Sequence, residues 1–123
     1  MASSSEPRIL LFKAAAAIAK GKVVKKGADD QHVAVCSAGS DKGIGITQNA
    51  PTAAEDGVEV AINGGGAKAL LGAGGCVMGD KLVADANGAL IVSTTANDRI
   101  IAIAMADGSE NDLVAVEVAL SNL

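Results

Sequence analysis

The sequence predicts an all-β fold: a compact, pseudo-symmetric β-sandwich or barrel built from two copies of one short-strand unit, with an extended N-terminal arm. Three observations carry this. Two stretches nearly repeat each other, DKGIGITQNAPTAAEDGVEVAI over residues 41–62 and DRIIAIAMADGSENDLVAVEVAL over residues 98–120. Apolar residues come in short runs that alternate or are β-branched, with Gly, Asp, Asn or Pro between them, which is the pattern of strands and turns. Phe12 is the only aromatic residue among 123. The core must therefore be assembled from Val, Ile, Leu and Ala, each burying little area, and a thin core of that kind gains from packing against a second copy of itself.

Taken in order, residues 1–17 read as the arm and 18–123 as a single β domain. The segment RILLFK, residues 8–13, is apolar with basic ends and lies outside the apparent repeat. It is expected to contact a partner, either by adding a strand or by seating Leu10, Leu11 and Phe12 in a groove, with Arg8 and Lys13 orienting it; Ile9 completes the set. On this reading, removing residues 1–13 leaves a folded chain. AAAAIA, residues 14–19, has strong helix propensity, and a helical turn ending near Gly21 is one option for it.

The first repeat, about residues 18–62, offers the strands KVV, HVAVC, GIGIT and VEVAI. The second, about 77–120, offers KLVA, ALIVS, IIAIAM and VAVEVAL. Ile18–Val24 falls on Val77–Val83, and Val58–Ile62 falls on Val116–Leu120, with slips confined to the turns KKGADDQ and DGSENDL. Between the copies, NGGGAKALLGAGG at 63–75 reads as a flexible crossover. In the IGI of 44–46 and the IAI of 101–103, Gly45 and Ala102 present a small face that invites close approach by the opposite sheet or a neighbouring subunit.

Charge is unevenly placed. Arg8, Lys13, Lys20, Lys22, Lys25 and Lys26 outweigh Glu6 to give +5 over residues 1–26, whereas the remainder carries −9, for a net −4. A basic segment on an acidic body suits docking on an acidic surface, but the acidic body repels phosphate, so nucleic acid is not an expected partner. No apolar run reaches the length of a membrane span, and Glu6 and Lys13 bracket ILLF in a way no secretory signal shows. No membrane partner is expected.

The residues that carry chemistry form no catalytic set. His32 is the only histidine, with no Ser or Cys nucleophile arranged beside it. Cys36 and Cys76 occupy non-equivalent places in the two copies and read as small buried hydrophobes. The glycine-rich crossover lacks the Gly-Lys-Ser/Thr of a phosphate loop, because Ala67 separates Gly66 from Lys68. Asp29, Asp30, Glu55, Asp56, Asp107, Glu110 and Asp112 fall in predicted turns, where carboxylates bond backbone amides, and DANG at 85–88 is turn chemistry without the ligand spacing of a calcium loop. No enzyme activity, metal, cofactor or small-molecule substrate is expected. SAGSDKGIGI resembles the hairpin on which biotinyl and lipoyl carrier domains display a modified lysine, which would be Lys42; the second copy has Asp98-Arg99 there.

From Ile18 to Leu120 the running order resembles the capsid decoration, or cement, proteins of tailed bacteriophages. The likeness rests on AIAKGKVVKKG, DKGIGITQNAPTAAEDGVEVAI, CVMGDKLVADANGALIVS and RIIAIAMADGSENDLVAVEVAL. It implies a structural virion protein on the outer capsid surface, binding the major capsid protein as a homotrimer and bridging its subunits to stabilise the expanded shell. A head-fibre base or another virion surface protein is the alternative within the same setting, and a carrier domain modified at Lys42 the alternative outside it.

Overall fold

The computed structural model describes residues 9–93 and 99–122. Strands β1 (Ile9–Ala14), β2 (Val23–Lys26), β3 (His32–Val35), β4 (Gly43–Thr47) and β5 (Gly57–Ile62) close into a barrel in the order β1-β3-β2-β4-β5. Strands β6 (Gly66–Leu70), β7 (Lys81–Ala84), β8 (Leu90–Val92), β9 (Arg99–Ala104) and β10 (Leu113–Asn122) form a second sheet ordered β6-β10-β9-β7-β8. Matching β1–β5 to β6–β10 in turn makes the two orders the same, with the second unit cut between β6 and β8. Even the cut is spanned, because Leu71 bridges Leu90 in parallel where Ala14 pairs with Val33 in the first unit. The fold is all-β, as the alternating runs predict.

The duplication extends to single hydrogen bonds. Ala14 N–H donates to Asp56 O and Leu71 N–H to Asp112 O, both at 2.9 Å. Ala14 O accepts from Glu55 N–H, and Leu71 O from Asn111 N–H, at 2.8 and 2.9 Å. Ala15 N–H reaches Val33 O, and Gly72 N–H reaches Leu90 O, at 2.9 and 2.8 Å. Glu55 and Asn111 share a left-handed backbone, with φ of 72° and 73°.

These matches correct two expectations. β1 and β6 are counterparts, so the RILLFK segment lies inside the repeated unit. The glycine-rich crossover is not a loop throughout; its residues 66–70 pair with β10 from Gly66↔Glu117 to Leu70↔Leu113. Strand pairing runs through the backbone, and a strand laid between β10 and the first unit needs small side chains more than β-branched ones.

Nor are residues 9–13 a free arm. They pair antiparallel with β5 from Ile9↔Ala61 to Lys13↔Gly57, and Phe12 and Ala14 turn into the barrel with Val58 and Val60. Arg8 lies outside the described residues. The Ala-rich run that follows is not helical: Ala15 is tied to Val33, and Ile18 is buried in the barrel with its N–H on Pro51 O. Burial of Ile18 outweighs the modest propensity of four alanines.

The first barrel has its own interior of Ala14, Ile18, Val24, Val33, Val58 and Val60. A larger cluster joins the units, with Val23, Cys36, Ile46 and Ala61 from the first packed on Leu71, Leu82, Leu90, Ile101, Val116 and Val118 from the second. Gly45 and Ala102 are both buried inside the chain. A Cβ on Gly45 would lie 2.2 Å from Ala61 O, and Ala102 is fully enclosed in the shared cluster. Their small faces serve packing within the protomer, which corrects the expectation that they meet a neighbouring subunit. Cys36 and Cys76 are free and buried in this same cluster, and burial pushes the Cys36 thiol up to about 11.

Candidate partner-binding face

β1 carries the longest run of exposed residues among the strands of the first barrel, Ile9, Leu10 and Leu11. Its even residues direct their backbone groups toward β5, as the Ala14 N–H to Asp56 O and Glu55 N–H to Ala14 O bonds show. Its odd residues face β3: Lys13 N–H donates to Gln31 O at 2.8 Å and Ala15 N–H to Val33 O. The β1–β3 pairing consists of Lys13↔His32 and Ala14↔Val33 alone. By alternation, the N–H and C=O of Ile9 and Leu11 point to the same side, beyond the start of β3. That leaves a short open strand edge flanked by apolar side chains: Leu11 is 73% exposed, Leu10 50% and Ile9 43%.

Two open cavities flank Phe12 along this seam. One, of about 370 Å³, is lined by Leu11, Phe12, Lys13, Gln31, Glu55 and Gly57 together with Asp30. The other, of about 200 Å³, is lined by Phe12, Lys26, Asp29, His32, Val33 and Ile44, again with Asp30. The seam thus combines unpaired backbone groups with side-chain pockets on either side, the two elements by which a sheet edge recognises an extended peptide. Of the six residues selected from the sequence, Leu11, Phe12 and Lys13 line the larger cavity, Ile9 and Leu10 continue the exposed strand, and Arg8 is outside the described residues.

Across the seam lies a three-residue clamp that the sequence did not reveal. His32 Nδ1 is 2.7 Å from Asp29 Oδ1, and Nε2 is 2.8 Å from Glu55 Oε2. The two carboxylates raise the imidazole's pKa above 6.5, the Asp29 bond first, and the same bond holds the Asp29 carboxyl below its ordinary range. With both ring nitrogens engaged by carboxylates, His32 has no nucleophile beside it and no general-base arrangement. Glu55 reaches it from a left-handed backbone, a conformation that costs a non-glycine residue roughly 1–2 kcal/mol.

The other candidates resolve into structural roles. Of the carboxylates placed in turns by the sequence, Asp29, Asp56, Asp107 and Asp112 each accept a backbone N–H, whereas Glu55 bonds His32; Asp41 and Asp80 also cap turn amides, and Asp85 takes those of Asn87 and Ala89 in DANG. Amides of the glycine-rich stretch are committed, Gly64 to Val118 O, Gly65 to Ile62 O and Gly72 to Leu90 O, so they form no phosphate cradle. Lys42 is exposed, but β3 and β4 on either side of it are separated by β2. No hairpin displays it, which removes the geometric basis of the carrier reading. Arg99 N–H is bonded to Gly39 O, a link between the two units, while Asp98 lies outside the described residues.

A second apolar surface went unnoticed in the sequence. Val77 and Met78 are about as exposed as Leu11, at 60% and 63%, on a turn held by Asp80 Oδ2 on Val77 N–H, Asp107 Oδ1 on Met78 N–H, and Gly79 N–H on Ala104 O next to Met105. Val77 matches the buried Ile18 in sequence, so the pattern gave no sign that it is exposed.

No family model matches the chain, and no curated protein does. Among solved structures, the chain is similar to the head fiber gp8.5 N base of bacteriophage phi29, with a TM-score of 0.70 at 13% identity over 96% of this chain and 98% of that one. At that identity the likeness is one of fold, and it spans both five-stranded units.

Proposed function

We propose that this chain is a structural, non-enzymatic protein of a tailed-phage virion that sits on the outer capsid surface. The observation that carries the reading is the full-length fold match to a head-fibre base, which covers both units of this chain. More specifically, the chain decorates the expanded shell as a homotrimer and bridges subunits of the major capsid protein. Individually weak contacts then add through effective concentration. Exposed apolar side chains on β1 and on the Val77–Met78 turn, in a protein with a core of small residues, support an assembled working state. The head-fibre base is the second reading, favoured by the same match; in that role the chain anchors a projecting fibre rather than clamping the lattice.

The β1 edge with Ile9, Leu10, Leu11, Phe12 and Lys13 is the proposed contact, with Arg8 adjoining it. Because β1 is a barrel strand, removing residues 1–13 destroys the fold along with the contact, so a point change on the exposed face is the proper test. Cosedimentation with undecorated expanded heads should saturate at a fixed ratio to the major capsid protein. Leu11→Asp should keep the wild-type melting temperature and lose that binding; full binding by the variant sinks the assigned contact, and no binding by the wild type sinks the virion reading. Electron microscopy of saturated heads separates the two readings, since a decoration protein lies flush and a fibre base carries a projection.

A further inference from the structure

We infer that His32, Asp29 and Glu55 form a pH-operated latch that holds the β1–β3 seam shut while His32 is protonated and loosens it when the proton leaves. A carboxylate only accepts hydrogen bonds, and a neutral imidazole carries one N–H. The two contacts, at 2.7 and 2.8 Å, therefore require imidazolium, which alone donates from both nitrogens. The clamp links the turn before β3 to the turn before β5, the two strands that flank β1, and so closes over Lys13 and Ala14 where the seam has its only pairing.

The duplicated unit shows what the clamp adds. At the left-handed position the second unit uses Asn111, a residue that tolerates such a backbone, and the first unit uses Glu55, which does not. The residue before the bridged Leu90 is Ala89, and the residue before the bridged Val33 is His32. The second seam is made without an ionic contact, so the clamp is not needed to form this junction; it makes the first junction conditional. The charged groups around His32 are its partners Asp29, from its own turn, and Glu55, from the turn before β5, together with Asp30 and Lys26, which line one cavity with it beside the apolar Phe12 of β1 and Ile44 of β4; Lys13 lines the neighbouring cavity with Glu55. Loss of the proton leaves three carboxylates around a neutral ring and frees Glu55 to leave its strained backbone.

The direction follows from linkage. A histidine whose folded-state pKa is raised above 6.5 contributes its full stabilisation below that pH and loses it as pH rises through the folded-state value. The latch is thus closed below pH 6.5 and released as pH rises through the raised folded-state value.

His32 is the only histidine, so one imidazole resonance reports it without assignment work. In the full chain, NMR titration should place its pKa above 6.5, and Asp29→Asn and Glu55→Gln should each lower it. Across the same pH range, the Lys13 amide should lose hydrogen-exchange protection beyond the rise in chemical exchange, while the Gly72 amide, which bonds Leu90 O across the second unit's junction, does not. A pKa at or below 6.5, or one that neither variant moves, overturns the clamp. A raised pKa with Lys13 protection unchanged overturns the latch. Neither outcome depends on shell binding, so the virion reading stands or falls separately.

Discussion

Ile101→Ala tests whether the two five-stranded units are energetically one body. Ile101 is 1% exposed, and its Cδ1 packs over Gly43 of the first unit so closely that a Cβ on Gly43 would come within 2.6 Å of it. Truncation removes three carbons, worth about 0.8 kcal/mol each as transfer free energy. Gly43 has no side chain to swing into the void, so the cavity contribution is retained and the total falls at about 3–4 kcal/mol, within the roughly 2–5 kcal/mol usual for such changes. A 123-residue chain has on the order of 6–18 kcal/mol of stability, so the variant should fold. Its melting temperature should fall by roughly 10–20 °C. With no Trp or Tyr, the assay is far-UV circular dichroism during heating, joined to NMR amide intensities from both units in denaturant. Because Ile101 shares one cluster with Val23, Cys36 and Ile46, amides of β2 and β4 should disappear with those of β7 and β9 in a single transition. A loss below about 1 kcal/mol, or survival of the first barrel after the second unit has melted, refutes the shared core.

Two further changes probe strain and charge. Gly79 has φ of +96° with open space around a built Cβ, whereas Gly88 has φ of +77° and a Cβ there would lie 2.3 Å from Val35 Cγ1. Gly79→Ala should therefore cost only the left-handed strain, about 1 kcal/mol, and Gly88→Ala roughly 2–4 kcal/mol once overpacking is added; equal losses in denaturant titrations contradict the packing account. Asp41 is held below 3.8 by the Ser37 N–H and then by Lys25 Nζ at 3.0 Å. A depressed carboxylate stabilises above its unfolded value and loses that contribution as pH falls through its folded value. Asp41→Asn should accordingly lower the melting temperature at pH 7 and flatten its decline below 3.8, as read by melting across a pH series.

What could be read from the sequence was whatever side-chain pattern dictates. The GIGIT of β4 and the KLVA of β7 coincide with their strands to the residue, and the alternating runs of β5 and β10 bury Val58 and Val60, and Val116 and Val118, on their inner faces. β6 was hidden because Gly66-Ala-Lys-Ala-Leu has no β-branched residue; its pairing with β10 is a backbone matter that composition does not record. The misplacement of β1 has the same root. Once ILLFKA and GAKALL are seen as counterparts, the repeat begins at residue 9 and the segment cannot be a free arm, but those two strings share almost no side-chain character. The clamp was out of reach for another reason. His32 and Glu55 are 23 positions apart and meet only because both flank β1, a neighbour relation fixed by barrel closure rather than by spacing.

The differences between the copies say where selection had freedom. Two units with the same strand order, the same bonds at Ala14 and Leu71 and the same left-handed turn residue could have kept the same seam. In the second unit the seam is bland: Ala69, Ala89 and Asn111 fill it with small or tolerant residues, and Ala69 is fully buried. At the corresponding places the first unit carries Phe12, His32 and Glu55, which enlarge the side chains, leave cavities beside them and introduce charge. A glutamate held in a strained backbone works against stability, and the second copy shows that the fold closes with a tolerant residue in its place. Residues that oppose stability where a stable alternative exists beside them in the same chain are the ones to examine for function. By that argument the β1–β3 seam is the first surface to test for function, and the second unit supplies the internal control against which any change there can be measured.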